Sequence, residues 1–302
     1  MKCKTNKRIK NNLTAYAFLL PWFIGFLCFT VFPIIFMFIV SLTNRKLNGL
    51  STFIGFENYR KIFTSNMFWN SLKVTILYTV ITMVITAIWA LFMALLLNHK
   101  QKLNGIFQFA YFLPSVVPSV ALAYAFRTIF GRDAGLLNSI LSQISGKNVL
   151  INWLFDPKTI YIVIFFITLF TYNTGQMMLI FRSALNDVPM ELYEAGDIDG
   201  ANTFKKFFNI TLPMISPIIL FNTIMGSISA LNGSFALLYP LTGDTGDPNK
   251  MTQVLSLLIY NESFSNQKVG YGSALSVILF LLACGFGIVI FIASKKLVYY
   301  EE

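Results

Sequence analysis

Charge is what this chain has least of: Asp, Glu, Lys and Arg make up 12% of its 302 residues, while 56% are hydrophobic. Soluble domains carry roughly 25% charge, so an ordinary water-soluble globule is excluded. Histidine is nearly missing, and the single His99 sits beside Lys100 in a short basic stretch, where a solvated side chain is the plain reading. Cysteine is scarce too. Cys3 lies in a basic head and Cys28 and Cys284 in apolar runs, a distribution that forms no disulfide framework. No Cys, His or carboxylate cluster has metal-ligand spacing, and no Gly-x-x-x-x-Gly-Lys-Ser/Thr loop is present, so the chain is expected to bind neither a metal nor ATP and to carry no cofactor of its own. Low-complexity tracts and internal repeats are also lacking.

What is abundant is the long apolar run. Six segments, residues 15–41, 72–97, 106–130, 160–181, 215–239 and 274–294, are each long enough to cross about 30 Å of hydrocarbon as a helix. The expected fold class is therefore all-α, a polytopic membrane bundle of six transmembrane helices over residues 15–294. It is preceded by a basic cytoplasmic N-terminus, 1–14, and followed by a cytoplasmic tail, 295–302. The cluster Lys2, Lys4, Lys7, Arg8 and Lys10 before the first run, and Lys295 and Lys296 after the last, hold both ends in the cytoplasm. The basic head also resembles a signal peptide. However, the run behind it exceeds an apolar region of 7–15 residues and lacks a clear cleavage site, so it reads as an uncleaved first span. The net charge of +10 comes from short clusters between apolar runs with no continuous basic stripe, which argues for the lipid bilayer as partner and against nucleic acid.

On this topology segments 98–105 and 182–212 are cytoplasmic and 44–71, 131–158 and 240–272 external. Basic residues divide almost evenly between the two sides, so the orientation rests on what 182–212 does. Proline interrupts several spans, with Pro21 and Pro33 in the first, Pro114 and Pro118 in the third, and Pro213 and Pro217 leading into the fifth. Such kinks either open backbone carbonyls to a cavity or are absorbed by neighbouring helices.

No Asp, Glu or His lies inside a span, and Lys73 and Arg127 lie near span ends where they can snorkel. Ion-coupled carriers commonly need such groups, which disfavours that class. The spans instead hold neutral polar groups. These are Thr75, Tyr78, Thr79 and Thr82 in the second, Thr171, Tyr172, Asn173 and Gln176 in the fourth, and Asn222, Ser229 and Asn232 in the fifth. Amides offer paired donors and acceptors to hydroxyls, and a tyrosine ring can cover the apolar face of a sugar, so Tyr172, Asn173, Gln176, Asn222, Ser229 and Asn232 are the candidate solute pathway. Asn222, Gly226, Ser229 and Gly233 recur at helical spacing, which makes one side of the fifth span small and polar. The same residue types also hold helices together in lipid.

Between the fourth and fifth spans, about 183–212, Asp187 can cap and Pro189 open a helix running to about Asp199. Gly200 suits a turn of positive φ, and a second helix leads from Asn202 to Pro213. The result is a surface-lying helix–turn–helix. Here the chain resembles the permease subunits of binding-protein-dependent ABC importers. Glu194, Ala195, Gly200, Ile210, Leu212 and Pro213 match the hallmark cytoplasmic loop, with Gly196 departing from its second alanine. The resemblance implies that this segment is the coupling helix seated in the ATPase subunit. Glu194 would make the polar contact, Ala195 and Gly196 would pack closely, Gly200 would turn the chain, and Ala201, Ile210, Leu212 and Pro213 would complete the motif.

Further stretches in family order extend the likeness to the carbohydrate-uptake branch: Phe18-Leu19-Leu20-Pro21, Gly55-Phe56-Glu57-Asn58-Tyr59, Phe112-Leu113-Pro114, Ile151-Asn152-Trp153-Leu154 and Gly270-Tyr271-Gly272-Ser273-Ala274. Two stretches depart from relatives, Gly233-Ser234-Phe235-Ala236 and the loop from Gly243 to Pro248, so the resemblance does not name a particular sugar. It implies a cell-membrane permease subunit that imports a sugar, oligosaccharide or related polyol. Its partners would be a second homologous permease, two ATP-binding cassette ATPase subunits that hold ATP and Mg, and an extracytoplasmic sugar-binding protein. The competing reading from another class is an ion-coupled secondary carrier of a neutral polar solute.

Overall fold

Long apolar runs leave the backbone no hydrogen-bond partner but itself, and the chain accordingly folds as helix along most of its length. The computed structural model describes residues 16, 18–98, 104–170, 172–243 and 245–297, apart from the side chains of residues 172, 173, 296 and 297. The basic segment 1–14, His99 with Lys100, Thr171 and the tail beyond residue 297 lie outside the described residues. No strand forms among the described residues, where a lone β-bridge joins Thr43 and Phe53.

The first unit comprises Met1–Thr64 and Ile259–Ile278. Its long helix α1, Phe18–Ser41, is apolar enough to span a bilayer. It widens to a π turn at Leu27–Val31, just ahead of Pro33. A proline ring clashes with the carbonyl four residues back and brings no N–H to bond it, and one widened turn relieves both problems. After α1 the chain is pinned by Asn58, at the start of the short helix α2, Glu57–Phe63. The Asn58 amide donates to the carbonyls of Ser41 and Thr43, each at 2.8 Å. On α2, Lys61 lies 2.7 Å from Glu57, and this hydrogen-bonded pairing holds the Glu57 carboxyl below its ordinary range.

The second unit, Ser65–Leu258 and Leu279–Glu302, holds the helical core. Helix α3, Asn66–Leu97, begins where Ser65 accepts a hydrogen bond from the Phe68 amide. It is followed by α4, Asn104–Val116, and α5, Ser119–Ile129. Next come α6, Leu136–Ser145, then α7, Ile160–Thr168, and α8, Tyr172–Asn186. Helices α9, Met190–Ile198, α10, Thr203–Lys206, and α11, Leu212–Met214, build the segment before α12, Ser216–Thr242. Helix α13 is Leu255–Tyr260 and α14 is Val269–Leu297.

Among the described residues four helices are uninterrupted and of span length: α1, α3, α12 and Val269–Lys295 of α14. The other two expected spans are broken. The run 106–130 becomes α4 and α5, bent by 100° at their junction. There Pro118 offers no N–H to the turn before it and takes extended backbone, φ −56° and ψ 137°, instead of continuing the helix. The run 160–181 is divided between α7 and α8. The carbonyl of Thr168 at the end of α7 accepts from the Thr174 hydroxyl at 2.8 Å.

The core has two centres. One gathers Tyr78, Ala123, Ile164, Ile167, Leu238 and Leu241 from α3, α5, α7 and α12. The other gathers Ala90, Ala94, Met178, Phe181 and Ile215, where α3 and α8 meet the entry to α12. Small residues set the approaches. A side chain at Gly175 would come within 2.7 Å of Ser115 on α4, and one at Gly226 within 2.5 Å of Met177.

Candidate functional site

Both helix breaks face the same space. Ser119, the first residue of α5 beyond the Pro118 break, and Thr168, the last of α7, line a cavity of about 370 Å³. Its other walls are Tyr78 and Thr82 of α3 and Ser229, Asn232, Gly233 and Ser234 of α12. Irregular backbone at membrane depth is tolerated where it borders a cavity, and the polar lining is what such breaks require. Part of that lining is already engaged: the Ser234 hydroxyl pairs with Ser256 at 2.9 Å and Thr168 donates to Phe165. The Asn232 side chain and Gly233 are exposed on the open side. No residue of the lining bears a charge at neutral pH, so the site suits a neutral solute bound by amide and hydroxyl groups.

The polar stripe of α12 divides in two. Its later residues, Ser229 and Gly233, open on the cavity, whereas Asn222 and Gly226 are buried, Gly226 beneath Met177 of α8. The first half therefore packs helices and the second half opens on the cavity. Asn222 lies outside the cavity, with its amide nitrogen buried and unpartnered. Gln176 is exposed on α8, also outside the cavity, and of Tyr172 and Asn173 only the backbone is described. Ser229 and Asn232 of the candidate pathway line the cavity, whereas its polar lining residues Tyr78, Thr82, Ser119, Thr168 and Ser234 are absent from that set. Pro118 was the available signal, because the residue after a helix-breaking proline begins a new helix at the break.

The segment 190–214 is built separately. Helix α9 ends in a Schellman arrangement, with the Gly200 amide donating to the Asp197 carbonyl at 3.1 Å and the Ala201 amide to the Gly196 carbonyl at 2.8 Å. This requires left-handed backbone at Gly200, where φ is +69°. Asn202 then caps α10 by accepting from the Lys205 amide at 2.9 Å. The chain passes through a second π turn, Phe207–Thr211, which again ends two residues before a proline, Pro213.

Three contacts fold the second helix back on the first. Tyr193 hydrogen-bonds Thr211 at 2.8 Å, Lys206 pairs with Asp197 at 2.7 Å, and Ile210 sits over Gly196, where an added methyl would lie 3.2 Å from its Cδ1. Gly196 thus faces the interior of its own hairpin. Glu194 and Ala195 face outward, among Met190, Ile198 and Phe204, which are 66%, 87% and 71% exposed. Leu212 and Pro213 join the hairpin to α12 and border a second, apolar cavity. The arrangement is a hairpin tied by three contacts, with a mixed apolar and acidic outer face, joined to a helix of span length.

Known proteins share this organisation. The family described as the binding-protein-dependent transport system inner membrane component matches residues 86–297. A probable ABC transporter permease protein, YesP, of Bacillus subtilis is 36% identical over 97% of this chain and 94% of its own length. The trehalose/maltose transport system permease protein MalF of Thermococcus litoralis is 32% identical over 92% of this chain and 96% of its own. The arabinooligosaccharides transport system permease protein AraP of Bacillus subtilis is 32% identical over 88% and 84%. In three dimensions a chain of a bacterial alginate ABC transporter, solved with an alginate pentasaccharide-bound periplasmic protein, superposes with a TM-score of 0.84. It covers 98% of this chain and 99% of that one at 22% identity, a likeness of fold. The matched family is a transport permease component and not a catalytic subunit. With its several apolar helices of span length, this chain is a multi-pass membrane protein that belongs to the family of binding-protein-dependent transport system inner membrane components.

Proposed function

We propose that this chain is one of two homologous permease subunits of an ATP-driven importer, carrying a sugar or oligosaccharide delivered by an extracytoplasmic binding protein. Six crossings, with the broken pairs α4–α5 and α7–α8 each counted as one, put both termini and the hairpin 190–214 in the cytoplasm. There the outer face around Glu194 meets one of two ATPase subunits, which hold the ATP and Mg that this chain has no loop to bind. Closure of the ATPases on ATP moves the hairpin. The hairpin is tied by Tyr193, Lys206 and Ile210 and moves as a body, transmitting the displacement through Pro213 to α12, which carries Ser229 and Asn232. The solute class is supported by relatives named for trehalose/maltose and arabinooligosaccharides and by a cavity lined with hydroxyls and amides and free of ionised groups.

The observation that carries this reading is the hairpin tied by three contacts together with its outward Glu194. The test is uptake and ATPase co-purification in the Glu194→Ala and Gly200→Val variants. Loss of both with membrane insertion intact is the expected result, and unchanged co-purification in both variants would remove the hairpin from the coupling role. Reconstitution of the chain without any ATPase is the complementary experiment, since accumulation of solute under those conditions would favour an ion-coupled carrier.

A further inference from the structure

The cavity beside the first half of α12 has a different chemistry. It measures about 590 Å³ and opens between Leu212, Pro213, Leu220 and Thr223 on one wall and Val289 and Ala293 of α14 on the other. Its lining includes three hydroxyls, and each is turned onto its own helix backbone. Ser216 donates to the Pro213 carbonyl at 2.6 Å, Thr223 to that of Ile219 at 2.7 Å and Ser294 to that of Phe291 at 2.7 Å. Each hydroxyl proton is thus spent on backbone, the other lining side chains are apolar, and hydrocarbon is the occupant such a surface favours. Positive charge follows at one end: Lys295, next after the lining residue Ser294, is exposed, and Lys296 succeeds it in the sequence.

We propose that this groove seats an acyl chain of an anionic phospholipid of the cytoplasmic leaflet, with the headgroup held at Lys295. An uncharged groove with an exposed basic residue at its helix end complements that molecule in both parts. Because Leu212 and Pro213 belong to the joint between hairpin and α12, the bound chain fills the space against which that joint moves. The placement in the cytoplasmic leaflet rests on the orientation proposed above.

The test uses the full chain in vesicles of equal parts phosphatidylcholine and phosphatidylglycerol, each lipid supplied in turn as an analogue with a photoactivatable acyl chain. The expected result is label in segments 212–223 and 289–294, with phosphatidylglycerol about fivefold over phosphatidylcholine, the preference one basic residue near an anionic surface supports. Lys295→Glu should abolish the preference and keep the label. Thr223→Trp, or Ala293→Phe from the opposite wall, should remove the label from both segments. Equal labelling of other lipid-exposed surfaces such as Ile76, Leu77 and Val80 of α3 would overturn the proposal. So would unchanged labelling in both filled variants, or a cross-link from a cysteine at Val289 to a second polypeptide. A separate measurement isolates the orientation. Modification of Lys295→Cys by an impermeant maleimide from outside would reverse the topology, while the peptide map would still decide whether the groove holds lipid.

Discussion

The hairpin and the polar cavity are both assembled from small and polar residues, yet they are built on different scales. In the hairpin every important contact joins residues within about one short segment: Gly200 to Asp197, Ala201 to Gly196, Tyr193 to Thr211 and Lys206 to Asp197. In the cavity Tyr78, Ser119, Thr168 and Asn232 come from four helices spread along the chain. A local device leaves a dense motif at fixed spacing, because each residue satisfies a backbone group or a close approach a few positions away. A pathway surface needs only that some polar group reach the space, so its residues are individually replaceable. Damage to the hairpin should therefore break coupling while solute recognition survives, and damage to the cavity should do the reverse.

The largest effect is expected where the comparison is deliberately blurred, at the packed half of the α12 stripe. Gly226→Leu drives a side chain into Met177 and should destabilise the protein by ~1–3 kcal/mol, read as a lowered thermal midpoint in detergent. Gly200→Val comes next. It forces a β-branched residue into left-handed backbone at a local cost of ~1–2 kcal/mol and should abolish ATPase co-purification, although nothing lies within 4 Å of the site to clash. Tyr193→Phe removes the bridge to Thr211, and a loss of ~1 kcal/mol should raise hydrogen exchange across 190–211 without altering solute specificity.

The smallest change in stability, within ~0.5 kcal/mol, belongs to Asn232→Ala, because its side chain is exposed on the cavity. Here transport should fall and the pattern of accepted sugars should shift while the ATPase still co-purifies. If Asn232→Ala changed docking, or Tyr193→Phe changed sugar preference, the separation of the two regions would fail.

Two proline-linked features sharpen the same lesson. Pro33 and Pro213 are each preceded by a π turn that ends two residues earlier; α1 runs on past Pro33, and after Pro213 one non-helical residue, Ile215, separates α11 from α12, whereas Pro118 ends α4 and turns the chain by 100°. A single sequence signal has two outcomes because the relief of the lost N–H depends on what lies across from it. At Pro118 a polar cavity accepts an abrupt break. Along α1, widening one turn is enough.

Local chemistry was legible from residue order alone: the apolar runs, the neutrality of their interiors and the glycine turn at 200, although α9 starts behind Pro189 with no side-chain cap where Asp187 is expected to supply one. Backbone hydrogen bonding in lipid and left-handed backbone at a helix end each admit few solutions, and those solutions are recorded within a handful of neighbouring positions. Packing settled the remainder. Continuity of the third and fourth runs, the inward side of Gly196 and the division of the α12 stripe between Met177 and open space depend on which helix lies opposite. That is a relation between residues far apart in the chain, to which a periodic pattern is blind.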